Sequence, residues 1–308
     1  IDRHSLKRNI SMQALSFTFH LLLLLCASGI QAVAQPGWFK QTSPVETILR
    51  GVSFSDASRG TAVGDSGVIL RTTDGGAHWE TQTSGTTLQL NAVDFSDANN
   101  GVIVGEVGTI LTTSDGGALW IAHSGWTGWD LTAVCMVDAN TGTAVGQGGT
   151  ILRTIDAGRS WVTQLSETVF NLNGVSFSDP LRGTIVGRAG TIYRTTDGGG
   201  SWTDQSLLTN RHNTAVSFPD SVNGRIVTEY GQIFMTANGG GLWTQGATYG
   251  RFTAVQFLDV LHGVVVGENG AIHRTTDGGE HWEIQASGTL LTLHGVCFSD
   301  VNTGTAVG

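Results

Sequence analysis

The 308-residue sequence is poor in residues that often dominate the interpretation of a chain: it has three cysteines, four prolines and only two lysines. So few prolines argue against a disordered, proline-rich chain. Charged residues make up 13% of the sequence, and acidic residues outnumber basic ones by 25 to 16. A surface with this balance repels nucleic acids and anionic membranes, so nucleic acid is excluded as an expected partner.

Long hydrophobic runs are also missing, and the longest one lies near the N-terminus. Leu21–Leu25 is preceded by basic residues and followed by the small-residue sequence Ala32-Val33-Ala34. This pattern predicts a secretory signal peptide over residues 1–34, because the apolar run is too short to span a membrane. We therefore expect a secreted, periplasmic or cell-surface protein. A lipid anchor on Cys26 is the weaker alternative, since Leu25 stands where a small residue is expected.

The remaining chain, residues 35–308, carries 13 basic and 24 acidic residues, a net charge of −11. It contains no helical periodicity of useful length. Instead, a tryptophan recurs at intervals of 41, 41, 41, 41 and 39 residues. The tryptophans are Trp79, Trp120, Trp161, Trp202, Trp243 and Trp282, with Trp38 one period upstream. A repeat of this length indicates one supersecondary unit that buries its apolar faces against its neighbours.

The first full unit, Ile48 to Thr83, predicts four short antiparallel strands. The strands are expected at 49–54, 61–63, 68–72 and 79–82, separated by glycine- and aspartate-rich turns. A four-stranded meander with a period near 40 residues is typical of a β-propeller blade. Seven first-strand motifs begin such units, at Val52, Val93, Val134, Val175, Val216, Val255 and Val296.

The predicted fold is therefore all-β, a seven-bladed β-propeller of four-stranded antiparallel blades over residues 35–308. The last unit stops at Gly308, before its third strand, so we expect the last blade to be incomplete and the sequence to be truncated at its C-terminus. Trp38 stands where a fourth strand belongs. We expect the N-terminal strand to complete the last blade and close the ring, because closure removes exposed sheet edges.

The hairpin before each recurring tryptophan has a shared sequence, for example TTDGGAHW at 72–79 and TTDGGEHW at 275–282. The acidic side chain is suited to accept backbone N–H bonds across its own turn, and the second glycine supplies a positive φ. This hairpin resembles the Asp-box, or bacterial neuraminidase repeat. The resemblance assigns a structural role to Asp74, Asp115, Asp156, Asp197, Asn238 and Asp277 together with the six tryptophans from Trp79 to Trp282.

The whole repeat unit is also similar to the photosystem II stability/assembly factor-like family of secreted propellers. The similarity lies in Val-x-Phe-x-Asp followed by Gly-x-Ile-x-Arg-Thr-x-Asp-Gly-Gly-x-x-Trp, and it covers residues 36–308. Characterised members of that family are assembly chaperones on the lumenal side of a membrane and are not enzymes. The resemblance implies a non-catalytic, monomeric scaffold for a protein partner of a membrane or envelope complex, with peripheral membrane association left open.

Candidate binding residues are sought where the loops between blades diverge, because recognition residues usually lie on loops over a rigid scaffold. Aromatic and charged residues concentrate in the loops after Trp120, Trp161, Trp202 and Trp243, which suits a protein-binding patch. By contrast, Thr47-Ile48 and Leu88-Gln89, the equivalent loop residues of the first two units, include no aromatic or charged side chain. The candidates are Trp126, Trp129, Asp130, Phe170, Asn171, Arg211, His212, Tyr249, Arg251 and Phe252.

The turns between the second and third strands are expected on the same face as these loops and make it mostly acidic. Their first residues are Asp65, Glu106, Gln147, Arg188, Glu229 and Glu268. No loop has dense metal-ligand spacing, so we expect no metal and no cofactor. Cys135 and Cys297 fall at the same position of distant repeats and are expected to be small buried residues rather than a disulfide.

A glycoside hydrolase is the alternative function, because sialidases and xyloglucanases use related propellers. A sialidase needs a tyrosine nucleophile backed by Glu and three arginines, for which Tyr230, Glu229, Arg188, Arg211 and Arg251 are the available residues. Its Arg-Ile-Pro motif is absent. A xyloglucanase needs two opposed aspartates in a long cleft, and Asp130 has no obvious partner. The sequence therefore favours the non-catalytic scaffold.

Overall fold

The computed structural model describes residues 37–123, 125–207 and 211–308, so the expected signal peptide and Cys26 lie outside the described residues. The described chain consists of 26 β-strands and five three-residue 3-10 turns, with no α-helix among these elements. None of its elements is a helix with the length and apolarity needed to cross a membrane. The all-β prediction is confirmed.

Twenty-four of the strands form six four-stranded sheets, each in sequential antiparallel order. The first three blades are β1 Leu49–Phe54, β2 Gly60–Gly64, β3 Ile69–Thr72 and β4 Glu80–Gln82; β5 Leu90–Phe95, β6 Gly101–Gly105, β7 Ile110–Thr113 and β8 Ile121–His123; and β9 Leu131–Met136, β10 Gly142–Gly146, β11 Ile151–Thr154 and β12 Val162–Gln164. The next three are β13 Leu172–Phe177, β14 Gly183–Gly187, β15 Ile192–Thr195 and β16 Thr203–Asp204; β17 Asn213–Ser217, β18 Gly224–Thr228, β19 Gln232–Thr236 and β20 Thr244–Thr248; and β21 Phe252–Phe257, β22 Gly263–Gly267, β23 Ile272–Thr275 and β24 Glu283–Gln285.

The remaining two strands, β25 Gly295–Asp300 and β26 Thr303–Val307, form a separate two-stranded sheet. The described residues therefore form six four-stranded blades rather than the seven predicted, and the unit expected to be incomplete has two strands. The physical reason is that a blade needs four strand segments, and the residues after Trp282 supply only the first two. We call this two-stranded sheet the seventh unit.

The N-terminal segment reaches the seventh unit without forming the strand that the sequence predicted. Residues 37–48 contain no β-strand, but the Trp38 ring packs edge-on against Phe298 of β25, with centroids 5.6 Å apart. In the first blade, the hairpin tryptophan Trp79 packs edge-on against Phe54 in the same way at 6.1 Å. The segment thus supplies the tryptophan of the seventh unit rather than its strand.

Apolar clusters join each blade to the next and form the core. Val63 and Ile69 of the first blade, for example, pack with Leu90, Val93 and Trp120 of the second, and all five are buried. The second strand of every complete blade is buried along its whole length. Such a strand has apolar neighbours on both faces, which explains its short continuous apolar sequence.

The innermost strands are also linked by hydrogen bonds that pass from unit to unit around the ring. The side chain between the Val and the Phe of each first strand accepts a backbone N–H of the next unit. Six such bonds, 2.6–3.2 Å long, join Phe95 to Ser53, Met136 to Asp94, Phe218 to Ser176, Phe257 to Ser217, Phe298 to Gln256 and Phe54 to Cys297. Cys135 lies beside the Phe177 N–H at the remaining junction. The Phe54–Cys297 bond closes the ring between the first unit and the seventh.

Asp94 is the one carboxylate in this circuit of serine, glutamine and cysteine side chains. Removal from bulk water, outweighing the bonds it accepts, raises its pKa from the ordinary value of 3.8 to about 7. Part of its surface stays accessible to solvent, but protein groups surround it and no basic side chain bonds to it among the described residues. The ionised form is therefore disfavoured in the folded protein.

The raised pKa of Asp94 predicts that stability falls as pH rises. The protonated Asp94 side chain contributes fully to the free energy of unfolding below pH 3.8, which is its pKa in the unfolded chain. This contribution is lost as the pH rises through about 7, its pKa in the folded protein. Between pH 5 and 8 the loss from this group is on the order of 2–3 kcal/mol. The variant Asp94→Ser has the residue type found at the equivalent positions Ser53, Ser176 and Ser217, and it should remove this pH-dependent loss of stability. Urea unfolding of both proteins at the two pH values measures the difference, and an equal pH response in the variant would contradict it.

Candidate functional site

The ring has two faces with different structural roles. We call the face formed by the turns between second and third strands and the loops entering each first strand the connection face. The Asp-Gly-Gly hairpins lie on the other side, which we call the hairpin face. There, for example, the Gly75 N–H donates to Ser58 O at 2.8 Å, which holds the hairpin against the first turn of its own blade.

Each hairpin on the hairpin face has the same hydrogen-bond pattern. In the first blade the Thr72 hydroxyl donates to Asp74 Oδ1 (2.9 Å) and accepts the Gly76 N–H (2.9 Å), while Asp74 Oδ1 also accepts the His78 N–H (2.9 Å). The His78 side chain and backbone lower the pKa of Asp74 to about 2. The same roles are filled by Asp115, Asp156, Asp197, Asn238 and Asp277. These side chains are occupied within their own turns.

The recurring tryptophans of the hairpins pack inward against the first strands. Trp120, Trp161, Trp243 and Trp282 are buried, and Trp79 and Trp202 are half-buried. The Trp161 and Trp282 indole N–H groups donate to the carbonyl of the hairpin glycine three residues earlier. The threonine, aspartate and glycine of the hairpins thus have partners within the fold, which leaves the connection face as the place to look for a site.

On the connection face, every inter-blade loop is tied to the turn of its own blade. The N–H of each first turn residue donates to the carbonyl of the residue preceding the first strand, over 2.9–3.1 Å. These turn residues are Asp65, Glu106, Gln147, Arg188, Glu229 and Glu268. Loops and turns therefore form one surface around the end of the ring.

Three predicted site residues also tie neighbouring blades together. Asp130 Oδ1 accepts the Val107 N–H (2.9 Å), Asn171 Oδ1 accepts the Gly148 N–H (3.3 Å), and His212 Nδ1 accepts the Ala189 N–H (3.2 Å). In each case the donor is the central residue of the preceding blade's turn. Val107 and Ala189 have positive φ values of 52° and 54°, a strained conformation for residues with a β-carbon.

The charged groups of the connection face are mostly paired with each other. Arg50 bonds to Asp65, and Arg251 Nη1 lies 3.2 Å from Glu268 Oε1. The Arg251 guanidinium also donates to Glu229 O (3.0 Å) and lies over the Tyr230 ring, 5.9 Å from its centre. Exposed pairs of this kind contribute little stability, but they leave little unbalanced charge at these positions.

Large apolar side chains are exposed between these charged pairs. We call this set the apolar rim, and its members expose 36–71% of their surface: Leu88, Val107, Trp129, Phe170, Tyr230 and Leu291. Trp129 lies beside Gly148, which belongs to the turn of its own blade. Sequence reasoning identified Trp129 and Phe170 but missed Leu88 and Leu291, although each of the four stands two residues before a buried leucine.

Three other predicted binding residues do not lie on this surface. Phe252 is 1% exposed because it begins β21 and fills the apolar position that Leu90, Leu131 and Leu172 fill in other blades. Phe252 therefore lies in the core and not on the connection face. Tyr249 is half-buried against the His273 ring, 4.9 Å between centroids, and Trp126 is half-buried against the core of the third blade. Arg211 is exposed, and its carbonyl accepts the Gly190 N–H.

Neither a metal centre nor a deep cleft marks the connection face in the described ranges. Within the described ranges, one group of three potential metal-ligand side chains occurs: Asp277, Glu280 and His281. This group lies on the hairpin face and is largely exposed. His281 is already paired with Asp277 at 2.7 Å. Two shallow grooves lie beside the turns of the first and sixth blades; the first is lined largely by Ser, Thr and Gly, and the second has a mixed polar and apolar lining. The surface is suited to contact rather than to enclosing a small molecule.

Comparison with known proteins gives a consistent set of similarities. The model of a family described as photosynthesis system II assembly factor YCF48 matches residues 30–173 and 127–254, whereas no curated protein matches the chain. A structure of YCF48 bound to D1 peptide is 20% identical, with a TM-score of 0.73 over 91% of this chain and 96% of that one. YCF48 from Cyanidioschyzon merolae is 21% identical, with a TM-score of 0.72 over 88% and 96%.

A glycoside hydrolase is also among the similar structures. The GH74 xyloglucanase from Xanthomonas campestris is 13% identical, with a TM-score of 0.63 over 78% of this chain and 47% of that one. At these identities the structural matches establish the propeller fold alone. The family match rests on the sequence and covers most of the chain.

The difference between the rim and the core predicts opposite results for two aromatic substitutions. Phe252→Ala should lower the free energy of unfolding by about 3–5 kcal/mol, because it empties a buried position. Trp129→Ala should change it by less than about 1 kcal/mol, since more than half of that side chain is already in water. Urea unfolding followed by tryptophan fluorescence and circular dichroism measures both. Equal losses would contradict the assignment of Trp129 to an open surface.

Proposed function

Because this chain belongs to the photosynthesis system II assembly factor YCF48 family, we propose that it is a non-catalytic assembly factor that binds a protein partner through its connection face. The observation that carries this proposal is the apolar rim, a set of large exposed side chains on one face of a rigid ring. Exposed apolar groups bordered by polar ones are typical of protein-binding surfaces.

The composition of the rim supports a protein rather than a small-molecule ligand. Trp129, Phe170 and Tyr230 are the residue types that contribute most to protein interfaces, because each covers a large area at a small entropic cost. Trp129 and Phe170 directly precede Asp130 and Asn171, whose side chains bond to the turn of the preceding blade. Such preorganisation lowers the entropic cost of binding.

A non-catalytic role is supported by the way the candidate acid–base groups are occupied. Asp130 accepts the Val107 N–H with one oxygen and the Gln147 side-chain amide (2.7 Å) with the other. Tyr230, the tyrosine that the sialidase alternative requires, lies under the Arg251 guanidinium, which is itself paired with Glu268 at 3.2 Å. A hydrolase would need convergent, unpartnered carboxylates beside a substrate cleft. The arrangement therefore favours binding over glycoside hydrolysis.

We further propose that the protein acts as a monomer outside the cytoplasm, on a membrane or envelope complex. The predicted signal peptide over residues 1–34 supports export. A related propeller has been solved with a D1 peptide, which supports a polypeptide segment as the partner class. The net acidic charge favours contact with protein rather than direct adsorption to anionic lipid.

The proposal is tested by comparing two double variants in capture from detergent-solubilised envelope membranes. Trp129→Ala with Phe170→Ala should reduce recovery of the bound protein at least about tenfold, since two interface aromatics are lost. Ile155→Ala with Leu242→Ala removes comparably exposed apolar groups from the hairpin face and should leave recovery unchanged. Quantitative mass spectrometry measures recovery.

Two results would contradict this proposed function. One is equal recovery with both double variants, which would remove the connection face as the binding surface. The other is turnover of a fluorogenic sialoside or a xyloglucan oligosaccharide above background by the purified protein. The second result would favour the hydrolase alternative instead.

A further inference from the structure

The two shallow grooves share one backbone arrangement but differ in their side chains. We call them the first-blade groove and the sixth-blade groove. In each, a serine hydroxyl donates to a threonine carbonyl two residues later at 3.1 Å, from Ser84 to Thr86 O and from Ser287 to Thr289 O. Each threonine hydroxyl accepts the N–H of a leucine two residues further on at 3.0 Å. The first-blade groove is therefore an internal reference for the other.

The sixth-blade groove contains a histidine at a position that is apolar or aromatic in the other five blades. His273 of β23 lines the groove and pairs with Ile284 of β24. In the first blade Leu70 of β3 pairs with Thr81 of β4 in the same register. The equivalent residues of the five other blades are all buried: Leu70, Leu111, Leu152, Tyr193 and Phe234. His273 is thus a departure from the repeat that the core does not require.

One nitrogen of the His273 ring is buried without a hydrogen-bond partner. The residue is 6% exposed, and Nδ1 has no partner among the described residues. The Tyr249 and Phe252 rings pack edge-on against the imidazole, with centroids 4.9 and 5.3 Å away. Burial lowers the pKa of His273 below its ordinary value of 6.5, so the ring is neutral at pH 7. An unpaired buried nitrogen is costly, and a leucine at this position would avoid the cost.

The walls of the sixth-blade groove depart from the reference in the opposite sense. Ile284 and Leu290 line it and expose 76% and 85% of their surface. The corresponding residues of the first-blade groove are Thr81 and Thr87, which are polar and also exposed. The sixth blade thus exposes two apolar side chains and buries a polar one, which is the reverse of what folding favours. Departures of this kind are expected at functional sites.

The lining of this groove restricts the chemistry of its ligand. None of the described residues that line it is charged at pH 7, and its chain neighbours Glu268 and Glu283 are acidic, so a carboxylate or phosphate is disfavoured. Ile284 and Leu290 offer apolar contact to a ring. A hydroxyl can both donate and accept, so it suits either nitrogen of a neutral imidazole. The groove has a volume of about 510 Å³, which has room for one large side chain. A phenol combines these properties.

We propose that the sixth-blade groove binds a tyrosine side chain of the protein partner, with the phenol ring between Ile284 and Leu290 and the hydroxyl hydrogen-bonded to His273. This inference rests on the proposed function, because the tyrosine belongs to a protein partner. Leu290 is followed directly by Leu291 of the apolar rim, so the groove continues that surface. An aromatic side chain seated in a groove beside an apolar surface is a typical anchor of a protein interface.

Binding of short capped peptides to the purified protein, followed by amide NMR shifts, tests the groove without the partner. The peptide Gly-Gly-Tyr-Gly-Gly should give saturable shifts at Ser287 to Leu290, with a Kd on the order of 1 mM. The matched phenylalanine peptide should bind about fivefold more weakly, because it lacks the hydroxyl. The phosphotyrosine peptide should give no saturable shift. Free 4-methylphenol should bind about threefold more weakly than the tyrosine peptide, since it lacks the backbone contacts. Equal binding of 4-methylphenol would assign the groove to a free phenol and overturn the proposal.

Variants that copy the first blade separate the roles of floor and walls. His273→Leu, the residue type at Leu70, should leave the urea midpoint unchanged or raised and bind the two unmodified peptides equally. Ile284→Thr with Leu290→Thr should weaken both peptides about tenfold. The matched control in the first-blade groove, Thr81→Ala with Thr87→Ala, should change neither. Equal binding of both peptides by the unmodified protein, a tyrosine preference that survives His273→Leu, or no saturable shift up to about 10 mM peptide would each overturn the proposal.

The peptide experiment also distinguishes failure of this inference from failure of the proposed function. Trp129→Ala with Phe170→Ala should leave tyrosine-peptide binding unchanged, because these residues do not line the groove. Loss of membrane-protein capture in that variant, together with no peptide binding by the unmodified protein, would overturn the tyrosine site and support the connection face. Peptide binding with undiminished capture would do the reverse.

Discussion

The structure depends on one repeated interaction, the hydrogen bond from a first-strand backbone N–H to a side chain of the preceding unit. Ser53, Asp94, Ser176, Ser217, Gln256 and Cys297 accept these bonds. Each bond satisfies a donor that a sheet standing alone would leave unpaired, and an unpaired buried donor is costly. The bonds also set the distance between blades, which lets the apolar clusters between sheets pack without gaps. Any short polar acceptor of suitable length serves, so this position varies in residue type while its geometry does not.

With spacing fixed at the centre, the two faces are free to differ. On the hairpin face, the aspartate, threonine and glycine of each turn bond to one another, so these residues stabilise the turn. The aspartate is engaged within its own turn and is not placed for acid–base chemistry. On the connection face, bonds run between blades, from the turn of one to the loop of the next. These bonds use up polar groups and hold strained turns, and the side chains left over are apolar. A surface suited to protein contact is thus a consequence of the hydrogen bonds that join neighbouring blades.

The periodic tryptophans, alternating apolar residues and glycine-rich turns were enough to predict the strands, because each of these features is local. In the first blade the strands lie within one residue of the predicted ranges. Site residues could be predicted only in part. Phe252 looked like a loop aromatic because it replaces a leucine, and its strand position decides its burial. Leu88 and Leu291 were missed because the candidates were chosen as aromatic or charged residues and not by their position relative to the first strand. The bonds of Asp130, Asn171 and His212 reach the neighbouring blade, and such contacts are not visible in one repeat.

The seventh unit shows that closing the ring and completing a blade are separate problems. Closure needs the first strand, because that strand carries the bond from Phe54 to Cys297, and Val307 of the second strand packs in the cluster of the first blade. The second strand shields the first, and Trp38 shields Phe298 from the other end of the chain.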